Sequence, residues 1–141
     1  MKIFWDTNIF IYLWERKAFV EEMNALQEFV DNGDHELATS TLTMAEVLVR
    51  PAKLGQEALV LEYREAFRSV EVIAFDEPAA VLFAELRAAN PSLRPPDAIQ
   101  LACAMHADCD LFLTNDERLS SVRHARTIEV KSLSAWNRDQ K

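Results

Sequence analysis

Four acids stand in apolar stretches near the ends of expected secondary-structure elements: Asp6, Glu46, Asp97 and Asp116. A carboxylate among apolar groups is strongly disfavoured unless hydrogen bonds, a cation or protonation compensate it. If the four were gathered in one place they would repel each other and stay partly protonated without cations. Hard divalent ions with oxygen ligands, Mg²⁺ or Mn²⁺, relieve such repulsion, whereas the lack of a His/Cys cluster argues against zinc. The chemistry on offer is therefore that of a water activated by a bound cation.

Each acid also has a plainer reading. Asp6 closes the run Ile3-Phe4-Trp5 and precedes Ile9-Phe10-Ile11. As a helix N-cap it would accept hydrogen bonds from free backbone donors, and as a site residue it would lie beyond the carboxyl end of a strand. Asn8 either orients a water or ligand or is a polar group in a first turn. Glu46 fits a capping box with Thr43; if Ser40 or Thr41 caps the helix instead, Glu46 lies past the first turn on a face expected to point inward. Asp97, behind Pro95-Pro96, suits the positive end of a helix dipole but opens the most apolar helix in the chain. For Asp116, Thr114 could cap a short helix with Glu117 completing a box, or Asp116 could be the acid beyond another strand with the Thr114 hydroxyl beside it.

The elements that must position these acids alternate short apolar runs with longer helical ones, the signature of an α/β domain with a mostly parallel sheet. Strands are expected at Lys2 to Trp5, Leu37 to Thr39, Val70 to Phe75, Leu111 to Leu113 and Thr127 to Val130. Helices are expected from Asn8 to Trp14, through Val20, Met23, Leu26 and Val30, from Thr41 to Val49, from Gln56 to Arg68, from Pro78 to before Pro91, from Pro96 or Asp97 to His106, and over Asp116 to Ser121. Asp31-Asn32-Gly33 supplies a helix stop with glycine available for a left-handed turn. Pro51 is expected to lie beyond the third helix, because proline cannot continue the hydrogen-bond ladder. The tail from Ser132 could add a turn of helix that packs Leu133 and Trp136. Crossover helices start at the carboxyl edge of a parallel sheet, so acids that follow strands and acids early in helices are expected to converge there.

Composition bounds the function. With 141 residues and half of them hydrophobic, one domain, residues 1–141, is expected. No secretory or membrane segment is visible, which points to the cytoplasm. Cys103 and Cys109 read as reduced thiols, with Cys103 in the core. Only Gly33 and Gly55 are present, so glycine-dependent nucleotide binding is excluded. The net charge of −8 argues against non-specific coating of nucleic acid but not against an enzyme that meets phosphate through cations. Basic residues such as Arg50 and Lys53, Arg64 and Arg68, Arg87 and Arg94, or Arg118, Arg123 and Arg126 either guide a strand or are solvated surface. Trp14 and Trp136 are expected in the core or partly buried, with interface anchoring the alternative.

The motifs Phe4-Trp5-Asp6-Thr7-Asn8, Thr43-Met44-Ala45-Glu46-Val47-Leu48, Pro96-Asp97-Ala98-Ile99-Gln100-Leu101-Ala102 and Leu113-Thr114-Asn115-Asp116 occur in this order. Together they resemble the PIN domain, and more narrowly the toxin ribonucleases of VapBC type II toxin-antitoxin modules. The resemblance implies a three-layer fold, with a mostly parallel central sheet flanked by helices. It further implies that Asp6, Glu46, Asp97 and Asp116 meet around Mg²⁺ or Mn²⁺ and that RNA is cut. Asp6 and Asp97 would be direct ligands, Asp116 a direct or water-mediated one, and Glu46 a ligand or base; Asn8 and Thr114 would orient water or phosphate. A cognate antitoxin and a homodimer are implied as well.

Three rivals make distinct demands. A haloacid-dehalogenase-type phosphatase needs an acid two residues after its nucleophile, where Asn8 stands. A phospho-receiver would use Asp76 and Lys131 but leaves Glu46 and Asp97 unexplained. A non-catalytic binding module would keep the fold and show no response to divalent cations.

Overall fold

The computed structural model describes residues 1–124 and 126–141. Five strands, β1 (Lys2–Trp5), β2 (Glu36–Ser40), β3 (Glu71–Ile73), β4 (Leu111–Thr114) and β5 (Glu129–Ser132), form one sheet in the order β3-β2-β1-β4-β5. All four pairings are parallel. Parallel strands require crossovers: α1 (Thr7–Glu15) and α2 (Val20–Asn32) join β1 to β2, α3 (Thr41–Lys53) and α4 (Glu57–Ala66) join β2 to β3, and α5 (Glu77–Ala89) and α6 (Pro95–His106) carry the chain from β3 back to β4. The short α7 (Leu133–Asp139) follows β5 and buries Leu133 and Trp136, as expected.

Alternation along the central strands divides the core in two. Ile3, Trp5, Leu111 and Leu113 face α1, α2, α3 and α7, whereas Phe4 and Phe112 face α5 and α6. In register across β1 and β4, the Phe4 and Phe112 rings stack with centroids 5.1 Å apart. Full burial of such side chains contributes roughly 1.5–3 kcal/mol each. Helix α6 is buried along Leu101 to Met105, matching its nearly all-round apolar sequence. Trp136 is buried, and the partly buried Trp14 stacks on Tyr63, so both tryptophans belong to the packing of the molecule.

Several boundaries differ from expectation. Helix α3 runs through Pro51 to Lys53. The proline sits in the last turn, where its missing donor costs one ladder bond, while Leu54 N–H bonds Arg50 O at 3.0 Å and Gln56 N–H bonds Pro51 O at 2.8 Å. Gly33 ends α2 in an extended conformation (φ −120°), not a left-handed one. A Cβ there would come within 2.4 Å of the His35 ring, so any larger residue must displace that ring. The strand expected over Val70 to Phe75 shrinks to Glu71–Ile73, and the one expected over Thr127 to Val130 pairs as Glu129–Ser132. Glu117–Ser121 is a 3-10 turn capped by Asp116, whose carboxylate accepts from Arg118 N; Thr114 is not its cap.

Candidate metal centre

Strand order reverses between β1 and β4. From β1 the chain winds through β2 to β3, then returns through α5 and α6 to pair β4 with the other side of β1. The chain leaves β1 toward one face of the sheet and β4 toward the other, opening a crevice at their carboxyl ends. Asp6 stands there, its N–H bonded to Leu113 O at 2.9 Å, and it caps α1 by accepting from Thr7 N at 2.8 Å. Capping uses Oδ1 alone. Oδ2 accepts from the Thr114 hydroxyl at 2.8 Å, so both oxygens are fixed in a side chain that is 8% exposed. Burial holds the Asp6 carboxyl above its usual range; Thr114 and the Thr7 amide oppose the shift, and the charge of Asp97 adds to it.

Beneath Asp6 lies a buried polar network centred on Gln100, a residue not singled out by the sequence reading. Its Nε2 reaches Asp6 Oδ1 at 3.2 Å, Thr7 Oγ1 at 3.1 Å and Thr43 Oγ1 at 2.7 Å, while its Oε1 accepts from the Ser40 hydroxyl. Because a carboxylate only accepts, the amide nitrogen must face Asp6. The remaining protons then follow in order. Thr7 donates to Glu46 Oε1 at 2.8 Å, so in the 3.1 Å contact between Thr43 and Thr7 it is Thr43 that donates. A directed chain thus runs from Gln100 through Thr43 and Thr7 to Glu46. The one sequence signal for it was an amide in the middle of an apolar helix.

Glu46 is placed by the cap of α3. Ser40 Oγ accepts from Thr43 N at 3.2 Å, which puts Glu46 beyond the first turn and leaves the Thr43–Glu46 box unformed. Its side chain is exposed to the groove and not turned inward. Asp6, Asn8, Glu46 and Asp97 line this groove of about 350 Å³, together with Arg94 and Gln100. Asp97 follows Pro95 and Pro96 in the first turn of α6, where proline suits the helix start and an acid suits the dipole. Arg94 Nε donates to it at 3.0 Å. Asp116 lies in an adjoining groove that also contains Asp97 and Arg94. The Arg118 fork closes on it, with Nε at 2.9 Å and an Nη at 2.6 Å, and holds its carboxyl below the usual range. Thr114 is fully buried between Asp6 and the Asp116 N–H, and its hydroxyl donates to the Asp6 carboxylate.

Asp6, Glu46 and Asp97 therefore share one groove, and Asp116 stands beside it under Arg118. Among the described residues no three His, Cys, Asp or Glu side chains form a ready-made cage for a cation. The donor set nonetheless fits a hard divalent ion: every donor is oxygen, and burial and Asp97 both disfavour a lone charge on Asp6. The rivals fare less well. Asp76 caps α5 after β3, while Lys131 lies on β5 at the opposite edge of the sheet, paired with Asp139 at 2.6 Å. A receiver would need them together. Burial pushes the Cys103 and Cys109 thiols up to about 11 and about 12, leaving neither available as a thiolate nucleophile at neutral pH.

A parallel five-stranded sheet between helices, with acids at its switch point, defines the class of this protein as α/β with a carboxyl-edge site. The PIN domain family model matches residues 3–125, and the chain belongs to that family. No curated protein matches by sequence. Similar folds occur in VapBC2 from Rickettsia felis bound to a DNA fragment from its promoter (TM-score 0.74, 16% identity, covering 94% of this chain and 98% of the other). Others are a toxin-antitoxin complex from Klebsiella pneumoniae (0.69, 22%, 93% and 97%) and FitAcB from Neisseria gonorrhoeae (0.69, 24%, 94% and 98%).

Proposed function

We propose that this PIN-domain chain is a Mg²⁺- or Mn²⁺-dependent endoribonuclease that hydrolyses RNA phosphodiester bonds. In this reading it is the toxin of a type II toxin-antitoxin module, a cytoplasmic homodimer restrained by a cognate antitoxin. The observation that carries the nuclease is the convergence of Asp6, Glu46 and Asp97 on one groove at the carboxyl edge of a parallel sheet. The toxin role is supported by likeness to chains from complexes described as toxin-antitoxin. Among the described residues no helix is long and apolar enough to cross a membrane.

Asp6 and Asp97 would hold the cation, with Asp116 and Glu46 completing its shell directly or through water. The ion would supply an acidified water and positive charge for the phosphate and leaving oxygens. The chain does the positioning. Thr114, Gln100 and the Thr7 amide fix the two oxygens of Asp6 before any ligand arrives, which removes rotamer freedom that would otherwise be lost on binding. The Thr7 hydroxyl aims Glu46 across the groove, where it can take a proton from the attacking water. Asn8, exposed on the same groove, can hold a water or phosphate oxygen.

Metal-linked stability tests this reading. Mn²⁺ should raise the melting temperature of the wild type by mass action, and Asp97→Asn should remove the rise. A wild type that does not respond would favour the non-catalytic binding module.

A further inference from the structure

We propose that the groove adjoining the acids is the seat of the RNA strand beside the scissile bond, with Arg94, Arg118 and Arg123 as its phosphate contacts. It rests on the nuclease reading and supplies what a chain of net charge −8 otherwise lacks, a local path for a polyanion. At about 570 Å³ the groove falls within the roughly 300–1,000 Å³ common for ligand sites. It shares Arg94 and Asp97 with the groove that holds Asp6 and Glu46, so a strand lying in it would lead directly to the acids.

The three arginines come from separate segments. Arg94 is the N-cap of α6; Arg118 lies in the 3-10 turn after β4; Arg123 follows that turn. The last segment is fixed by Asn90, which accepts from Arg123 N and donates to Arg123 O, each at 2.8 Å. Arg123 makes no ion pair among the described residues. Arg94 and Arg118 are 64% and 75% exposed at the side chain, although each holds an acid. A guanidinium fork accepts a phosphate in the same bidentate geometry as a carboxylate, so both can turn from Asp97 and Asp116 to a phosphodiester. Leu119 and Val122 supply apolar wall against which a base can rest.

Binding without cleavage provides the test. A short fluorescent single-stranded RNA is titrated in EDTA at several salt concentrations against wild type, Arg118→Gln, Arg123→Gln and, as a charge-matched control, Arg68→Gln at the amino end of β3. Each groove variant should bind roughly tenfold more weakly, and the salt slope should fall by about 0.7 per arginine. Arg68→Gln should change neither. Because Arg123 holds no acid, its variant separates loss of a phosphate contact from release of Asp116. If the wild type cuts RNA with Mn²⁺ while both groove variants keep its affinity and slope, the strand path is wrong and the nuclease stands. A wild type that neither binds nor cuts RNA overturns both.

Discussion

Asp6 carries two roles that were rivals when only its neighbours in sequence were known. It caps α1 through one oxygen, and hydrogen bonds fix both oxygens, which suits the proposed role of holding a cation. A cap tolerates asparagine, so Asp6→Asn should fold. The sign of its pH effect follows from the raised carboxyl. The unfolded chain loses its proton near the ordinary value of 3.8, the folded one at higher pH. In EDTA, wild type should therefore lose stability relative to Asp6→Asn as pH rises from about 4 through the folded value, and the gap should be constant above it. Urea unfolding across that range checks this, and a gap independent of pH would contradict it. Gln100 makes the complementary case. Replacing it with leucine keeps the volume but leaves the buried Ser40 hydroxyl without its acceptor and removes a donor from Thr43 and from Asp6 Oδ1, which keep their bonds to Thr7, and should cost about 2 kcal/mol in urea unfolding. The four acids were legible because a charge in an apolar run demands explanation. Gln100 and Arg118 were not, because their partners lie far away in sequence or depend on a rotamer.

At the level of elements, periodicity located nearly every helix and strand, and capping residues decided the details. Ser40, weighed against a Thr43 box, sets the frame of α3 and so brings Glu46 to the groove. Pro51 misled because a proline in a last turn forfeits a single bond. The stop at Gly33 was legible but its reason was not, since the crowding comes from the His35 ring, stacked on Phe29. Gly33→Ala should thus destabilise by about 1–2 kcal/mol, as overpacking does. In the His35→Ala background the penalty should largely vanish, and a double-mutant cycle by thermal unfolding measures the coupling. A left-handed requirement at Gly33 would instead leave the penalty intact.

For the whole molecule, the alternation of strand and helix was enough to infer a parallel sheet, but the strand order was not readable from any local signal. That order matters most for function. It puts β1 and β4 side by side at the switch point, so Asp6 and Thr114 touch across 108 residues of chain. It also sends Asp76 and Lys131 to opposite edges, which removes the receiver. Asp97 arrives at the same edge on α6, and Asp116 follows β4 into the next groove. The most direct test of a cation-dependent nuclease at this edge is cleavage of a single-stranded RNA by purified protein with Mn²⁺ and with EDTA, beside Asp6→Asn and Asp97→Asn. The account predicts cutting by the wild type with Mn²⁺ alone and a loss of at least about a hundredfold in either variant. Cleavage that persists in EDTA or in both variants would contradict it.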